Sequence, residues 1–315
     1  MRHCWYNAAM GFAHLDDARK HTDETPGVES TWSNLGAEAD SVQIGFRRIE
    51  IPPGKRPTPP HNHHAEEEIF YVLGGDGLSW QDGTTYEVGT GDCIVHLPRA
   101  HAHTLRAGPS GLDVVVLGER RPTELCVLPR TGHGWLGDSW VEAGAGDSPW
   151  DRDAARGEPE FPPPSPRPAN IVNVHDVAPH RWGDGSCSAE RRDLGQAAGS
   201  VAVGLKHCRV EPGRLSAPPH CHSAEEELFL ILDGSGTAII GDEETPVRGG
   251  HVISRPAGSR RAHAFRAGDD GLVLLAFGQR IPDDMCWYPR SQKVYFRGLG
   301  VIGRVEELDY WDGEG

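Results

Sequence analysis

The chain has 315 residues, of which 46 are acidic and 31 are basic, so its formal net charge at pH 7 is −15. An acidic protein of this kind is unsuited to nucleic acid or to an anionic membrane surface as its main partner. The length allows two domains that each bury a core, and the 40 glycines and 25 prolines favour many turns between short strands.

The sequence contains no apolar run long enough for a transmembrane helix, and residues 1–21 lack the apolar segment of a secretory signal. Its seven cysteines include no Cys-x-x-Cys pair, so we expect reduced thiols in a cytoplasmic protein. Cys221 lies between two histidines on a predicted strand. Because side chains alternate along a strand, Cys221 should point away from both histidines and serve in packing.

The first part of the chain predicts an arm followed by short strands. Residues 1 to about 30 show no clear period and are expected to cover a sheet edge or the second domain. From Ser41 the segment SVQIGFRRIEI alternates between apolar and polar residues, which predicts a strand that ends at a Pro-Pro-Gly turn. Further strands recur at intervals of about 8 to 12 residues, including a hairpin at Asp82 and Gly83. This spacing predicts an antiparallel sandwich or barrel.

A segment rich in glycine, proline and tryptophan separates two copies of one pattern. Residues 131–169 are predicted to be a linker that packs across a barrel surface or a site mouth and ends in the extended, polyproline-like FPPPSPRP. After it the sequence repeats, since LGAEADSVQIGFRRIEIPPG from Leu35 aligns with LGQAAGSVAVGLKHCRVEPG from Leu194. We therefore predict an N-terminal domain with its arm over residues 1–130 and a duplicated C-terminal domain over residues 170–315.

Two stretches, one in each copy, carry the candidate site. The first reads PPHNHHAEEEIFYVLGG from Pro59, the second reads PPHCHSAEEELFLILDG from Pro218, and a third histidine follows each about 35 residues on. On a strand, His-x-His places both imidazoles on one face, and a glutamate and a distant histidine on adjacent strands can complete a set of three nitrogens and one oxygen. Such a set binds a transition metal and leaves positions open for water, dioxygen or substrate. The predicted ligands are His61, His63, Glu68 and His103 in the first copy, and His220, His222, Glu227 and His263 in the second.

The two copies also help to choose among the three consecutive glutamates of each stretch. Their alignment pairs Glu68 with Glu227, so the preceding Glu67 and Glu226 should point to the opposite face and be solvated. Four apolar side chains near the site are expected to fill the core or line a pocket, namely Phe70, Val72, Phe229 and Ile231. His101 should share the face of His103, and the aligned His96 and Ser254 should have no shared catalytic role. Arg106 and Arg266 are expected to form surface ion pairs.

The two stretches resemble the motifs of the cupin superfamily, a group of small β-barrel proteins. Gly213 to Gly234 match its first motif, in which a glycine precedes two alternate histidines, a glutamate and a closing glycine, and Gly54 to Gly75 match it with one extra residue before His61. The second motif is followed with departures, since Ala100 replaces a glycine and four residues separate Gly258 from His263. The resemblance covers about 80 residues in each copy. It implies an all-β protein of two tandem cupin barrels (double-stranded β-helix, or jelly-roll), a bicupin, whose eight predicted ligands hold one divalent metal per domain.

The resemblance further implies a metal-dependent enzyme with a small-molecule substrate, and we expect an oxygenase. An open site of three histidines and one glutamate suits Fe(II) and bidentate enolates or phenolates. Glu68 or Glu227 could leave the metal and act as a catalytic base, as the resemblance to flavonol dioxygenases implies.

Three other functions stay open. A manganese-dependent decarboxylase would follow the resemblance to oxalate decarboxylases, which are also bicupins. An isomerase or lyase would need a base and a Lewis acid but no redox metal. A non-catalytic binding or storage protein would follow the seed-storage bicupins, although those commonly lose metal ligands that this chain keeps. Iron is therefore the expected metal, whereas manganese, nickel or zinc would indicate one of the other chemistries. A homo-oligomer is compatible with all of these functions.

Overall fold

The computed structural model describes residues 11–136, 139–141 and 148–314, and it consists mainly of antiparallel strands. The first ten residues of the predicted arm, and residues 137–138 and 142–147 of the predicted linker, lie outside the described residues. The elements of the first copy are, in chain order, β1 (Phe12–His14), β2 (Lys20–Thr25), β3 (Val28–Ser33), α1 (Leu35–Glu38), β4 (Ile44–Ile51), β5 (Asn62–His63), β6 (Glu68–Gln81), β7 (Thr84–Gly89), β8 (Asp92–His96), β9 (His103–Glu119), β10 (Leu125–Leu128), β11 (His133–Leu136), β12 (Ser139–Val141) and α2 (Pro149–Ala154).

The second copy repeats this order with one strand for each strand of the first. Its elements are β13 (Ile171–Asn173), β14 (His180–Asp184), β15 (Cys187–Asp193), α3 (Leu194–Ala197), β16 (Val203–Val210), β17 (Cys221–His222), β18 (Glu227–Ile240), β19 (Glu243–Arg248), β20 (His251–Arg255), β21 (His263–Gln279), β22 (Met285–Tyr288), β23 (Lys293–Phe296) and β24 (Val301–Arg304), with single 3₁₀ turns at Pro289–Ser291 and Arg297–Leu299.

Each half contains one large and one small antiparallel sheet. The large sheets have the orders β13-β8-β6-β9-β4-β3-β2 and β1-β20-β18-β21-β16-β15-β14, and β7 and β19 add to β6 and β18. The small sheets have the orders β12-β11-β10-β5 and β24-β23-β22-β17. The two sets of orders correspond strand by strand, which confirms the predicted all-β fold and its duplication.

The longest strands of each half bend sharply at glycines. β6 and β9 pair along their whole length with register shifts between Val72 and Gly77. Gly75, with φ of +86°, lies at this bend, and a Cβ there would lie 2.1 Å from the carbonyl oxygen of Gly111. In straight strands Glu68 and His103, which begin β6 and β9, would lie about 40 Å apart. The bend folds the strand pair back on itself and brings their side chains to 3.0 Å.

The apolar run of β6 is buried on both faces, which explains why it lacks alternation. Phe70 and Val72 lie in the core of the N-terminal half, and their counterparts Phe229 and Ile231 lie in the core of the C-terminal half. The residues between them face a third core that both halves share, which includes Ile69, Tyr71, Leu228 and Leu230. The two halves are therefore packed through a continuous apolar interface.

Each half also contributes its first strand to the large sheet of the other. β1 pairs with β20, with Phe12 opposite Ile253, and β13 pairs with β8, with Ile171 opposite Ile94. Within the predicted N-terminal arm, β1 thus lies on a sheet edge of the second half, whereas β2 and the start of β3 form a hairpin at the edge of the first half's own large sheet. The predicted boundary at residue 170 stays a prediction, although β13, which follows it, belongs to the sheet of the first half.

The expectation that Glu67 and Glu226 are solvated is wrong. Glu67 is 1% exposed and Glu226 is fully buried. The carboxylate of Glu67 accepts hydrogen bonds from the backbone amides of Val201 and Ala202, at 3.0 and 2.9 Å, and from the hydroxyl of Ser200. Glu226 accepts bonds from the amides of residues 42–44 in the first half. These glutamates do face away from the candidate site, but the surface opposite it is the interface between the halves.

The described part of the predicted linker is folded against the first half. β11 and β12 extend the small sheet, and the segment after α2 runs along β6 and β7. There the indole of Trp80 donates to the carbonyl oxygen of Glu160 at 2.8 Å, and the amide of Ser165 donates to the carbonyl oxygen of Thr85 at 2.7 Å. None of the described helices has the length and hydrophobicity that a membrane-spanning segment requires.

Candidate metal centres

The four predicted ligands of the first half converge on one point. His61 and His103 exchange backbone hydrogen bonds of 3.1 and 2.8 Å, His63 lies in β5, and Glu68 begins β6. Their side chains each offer a ligand atom, and these four atoms all lie within 4.8 Å of one another. The carboxylate of Glu68 lies 3.0 Å from Nε2 of His103 and 3.7 Å from Nε2 of His63. We call this cluster the N-centre.

The donors of the N-centre fit a divalent cation. Burial and the neighbouring histidines lower the pKa of His61 to about 3, so its imidazole is neutral at pH 7. Burial alone would raise the pKa of Glu68, but the histidines around it lower that pKa to about 2, so its carboxylate is ionised. Nε2 of His63 is buried and has no hydrogen-bond partner among the described residues. A neutral imidazole, a carboxylate and an unpartnered ring nitrogen are the groups that a metal ion binds.

A carboxylate outside the predicted set orients one of these histidines. Glu124 lies 3.1 Å from Nδ1 of His63, and its other oxygen accepts bonds of 2.8 Å from the amides of Ala65 and Glu66. A carboxylate at Nδ1 places the proton there and directs the lone pair of Nε2 toward the cluster. Glu124 is not among the residues that the sequence predicts for the site. The feature that could have identified it in the sequence is the second acidic residue, Asp284, at the equivalent position of the second copy.

The second half repeats the arrangement with the same kind of support. His222 Nδ1 lies 2.6 Å from the carboxylate of Asp284, and Glu227 lies 3.1 Å from Nε2 of His263 and 3.5 Å from Nε2 of His222. Burial and His263 lower the pKa of His220 to about 3. Nε2 of His222 is buried without a hydrogen-bond partner in the described part of the chain. We call this cluster the C-centre.

The ligand atoms of the C-centre do not form a single set like that of the N-centre. Within the described residues, they fall into two overlapping sets, in each of which the ligand atoms lie within 4.8 Å of one another. One set consists of His220, Glu227 and His263, and the other of His220, His222 and Cys286. Cys286 was not among the predicted ligands. Cys221, which was expected to pack away from the metal, is buried and belongs to neither set.

A buried arginine distinguishes the two centres further. Arg255 is fully buried, and its Nε donates to the carboxylate of Glu227 at 3.2 Å. The strand register places Arg255 opposite Glu227 and places His96 opposite Glu68. The alignment of His96 with Ser254 was therefore wrong by one residue, because spacing in the loop after the strand differs between the copies.

His96 borders the N-centre. Its ring is stacked on that of His103, with centroids 3.7 Å apart, and its Nδ1 lies 2.8 Å from Nε2 of His101. Burial and the histidines around it lower the pKa of His96 well below the ordinary value. The phenyl ring of Phe70 contacts both His96 and His103 edge-on. The wall of the N-centre is thus aromatic and holds two histidines beyond the predicted ligands.

The repeated arginines lie on the surface, away from both centres. Arg266 pairs with Glu244 at 3.1 Å, and both side chains are exposed. Arg106 donates to the carbonyl oxygen of Gly54 at 3.3 Å and lies over the ring of Phe161. The expected surface ion pair therefore forms in the second half, whereas the first half uses a backbone oxygen and an aromatic ring.

Comparison with known protein families identifies the class of this fold. The family model described as the cupin domain matches twice, over residues 47–117 and 206–277. Each half of the chain therefore contains a cupin domain, and the protein is a bicupin. The resemblance inferred from the two histidine motifs is confirmed.

Solved structures of oxalate decarboxylases are similar along most of the chain. The enzyme from Bacillus subtilis aligns with a TM-score of 0.56 and 16% identity, over 85% of this chain and 75% of its own. The formate complex of the enzyme from Lactobacillus farciminis aligns with a TM-score of 0.57 and 14% identity, over 87% of both chains. At these identities the likeness shows a shared fold alone. No curated protein matches the sequence significantly.

Proposed function

We propose that the protein is a metal-dependent enzyme that acts on a small organic molecule at the N-centre. The observation that supports this proposal is the convergence of three imidazole nitrogens and one carboxylate oxygen within 4.8 Å in a buried cluster. His61 is neutral and Glu68 is ionised at pH 7, so no proton has to be removed from either group before a cation binds.

The ion would be held by His61, His63, Glu68 and His103, and it would supply a Lewis acid that polarises a bound oxygen ligand. A set of four protein ligands leaves positions open for a substrate with two oxygen donors. Glu68 is the proposed base, because its ionised carboxylate could leave the ion and take a proton from such a substrate; Glu227 lies at the equivalent position of the C-centre. Glu124 acts as a positioning residue that keeps Nε2 of His63 directed at the cluster.

We infer an oxygenase as the first reaction class and a decarboxylase as the second. The donor set of three histidines and one glutamate supports Fe(II) and dioxygen chemistry on an enolate or phenolate. The second class is favoured by the fold shared with oxalate decarboxylases, of which the Bacillus subtilis enzyme contains Mn(II) centres. The metal therefore separates the two, with iron favouring the first and manganese the second.

The test is to load metal-free protein with Fe(II) or Mn(II) and supply small enols, phenols and carboxylic acids. Dioxygen consumed in proportion to product by the iron protein is the expected result, and carbon dioxide released without net dioxygen consumption by the manganese protein would assign a decarboxylase. The variant His61→Ala/His63→Ala should lose either activity, and His21→Ala, at an exposed position, should keep it. Turnover that persists in the double variant would contradict the proposal.

A further inference from the structure

The two centres differ in the ligands that they offer. In both halves a cysteine lies opposite the second histidine of the motif, Cys126 opposite His63 and Cys286 opposite His222. Among the described residues, only Cys286 joins a cluster of ligand atoms, with His220 and His222. The cluster of the N-centre contains Glu68 as its fourth residue and does not include Cys126. The duplication therefore places the same residue types in the two halves but uses them differently.

The glutamate of the C-centre is already engaged. Glu227 receives the Nε–H of Arg255 at 3.2 Å and lies 3.1 Å from Nε2 of His263. The two terminal nitrogens of Arg255, Nη1 and Nη2, donate to the carbonyl oxygens of Pro256 and Glu225 at 2.9 and 2.6 Å. These bonds fix the guanidinium in place. A fixed positive charge on this carboxylate opposes its binding to a cation. At the N-centre, His96 occupies the strand position that corresponds to Arg255.

A second observation points to a ligand between His222 and Cys286. His222 is 6% exposed and its Nε2 has no hydrogen-bond partner among the described residues. Its Nδ1 is held by Asp284 at 2.6 Å, so Nε2 carries the lone pair. Cys286 is 3% exposed, and its sulfur lies within 4.8 Å of a ring nitrogen of His222 and of a ring nitrogen of His220. A buried imidazole lone pair beside a thiol and a second imidazole is a set that suits a thiophilic ion.

We propose that the C-centre is a metal site of a different type, in which His220, His222 and Cys286 bind a thiophilic divalent ion such as Zn²⁺. On binding, the S–H bond of Cys286 breaks, its proton leaves to solvent, and the thiolate forms the bond to the metal without any change of oxidation state. Glu227, His263 and Arg255 then form an ion-paired group beside the site. This inference rests on the proposed metal-binding function and assigns a second metal class to one of its two sites.

Cobalt(II) is the probe, because a thiolate ligand gives a sulfur-to-cobalt charge-transfer absorption in the near ultraviolet that histidine and carboxylate ligands do not give. Metal-free full-length protein is titrated as wild type, as Cys286→Ser and as the matched control Cys126→Ser. We expect the band to saturate at one cobalt ion per chain in the wild type and in Cys126→Ser, and to disappear in Cys286→Ser. Competition with zinc should show that Cys286→Ser weakens the C-centre by at least about tenfold.

The outcomes separate the two claims. Retention of the visible cobalt spectrum of the N-centre in Cys286→Ser shows that this variant is folded. Two bound cobalt ions without a charge-transfer band, or a band that survives in Cys286→Ser or is lost in Cys126→Ser, would overturn the inference and leave the proposed function standing. Failure of the wild type to bind cobalt at either centre would overturn both.

Discussion

The protonation of single residues sets the chemistry of the N-centre. His63 presents Nε2 to the cluster because Glu124 binds the proton on Nδ1, and Glu124 is itself fixed by three backbone amides. The histidines could be predicted from their spacing, since His-x-His on a strand has one geometric meaning. Arg255 and Cys286 could not, because the sequence does not specify how their strands pair, and Glu124 was marked only by its acidic counterpart Asp284 in the second copy.

The variant Glu124→Gln should weaken metal binding at the N-centre by about 10–100-fold, because an amide does not hold the His63 tautomer as a carboxylate does. Isothermal titration of metal-free protein measures the effect. The matched variant Asp284→Asn should weaken only the C-centre. An N-centre of unchanged affinity in Glu124→Gln would contradict the positioning role.

The buried histidines predict how the metal-free protein responds to acid. His61 and His220 titrate near 6.5 when unfolded but near 3 when folded, so between these pH values the unfolded chain binds more protons. The contribution of each histidine to the free energy of unfolding is complete above pH 6.5 and is lost as the pH falls toward 3, with a slope on the order of 1 kcal/mol per pH unit. Urea unfolding of chelator-treated protein should show this fall, and His61→Ala should reduce its slope. An equal slope in His61→Ala would show that His61 is not held neutral by the fold.

At the scale of elements, the bent pair of β6 and β9 assembles the N-centre. The sequence predicts strands and a barrel through its alternation and turns, and it shows the glycines that close each motif. It could not predict that β1 and β13 exchange between halves, because three-residue strands carry no readable period. Nor could it predict the environment of Glu67, because a face opposite the site can meet solvent or another domain.

The variant Gly75→Ala tests the bend. Its Cβ would meet the carbonyl oxygen of Gly111 at 2.1 Å in addition to the unfavourable positive φ, whereas Gly83 has φ of +87° and no atom within 4 Å of the added Cβ. Gly83→Ala should therefore cost about 1–2 kcal/mol for its backbone conformation alone. Gly75→Ala should cost clearly more and weaken metal binding at the N-centre, as measured by denaturation and metal titration. Equal costs for the two variants would show that the bend does not depend on this contact.

At the scale of the whole molecule, the two cupin domains form one unit. They share an apolar core, exchange their first strands, and each inserts a buried glutamate beneath backbone amides of the other. The duplication could be predicted from the sequence, because the two copies align along their length with an offset that changes by only one residue. The contacts between the copies could not, since a repeat shows that two units are alike but not how they are arranged.

The variant Glu226→Ala should destabilise the protein by about 2–4 kcal/mol, because it leaves the amides of residues 42–44, of which that of Ile44 is buried, without an acceptor. Glu244→Ala, which removes an exposed ion pair with Arg266, should cost less than about 1 kcal/mol. Chemical denaturation measures both. A loss from Glu226→Ala as small as that from Glu244→Ala would show that this interface bond contributes little to stability.

Metal content tests the central claim most directly. Protein purified without a metal-affinity tag is analysed for its elements as wild type, as His61→Ala/His63→Ala and as His220→Ala/His222→Ala. We predict about two metal ions per chain in the wild type and the loss of one in each double variant, with iron or manganese lost from the first and zinc from the second. A chain that holds no stoichiometric metal, even after reconstitution with iron, manganese and zinc, would contradict it and leave a bicupin without metal function.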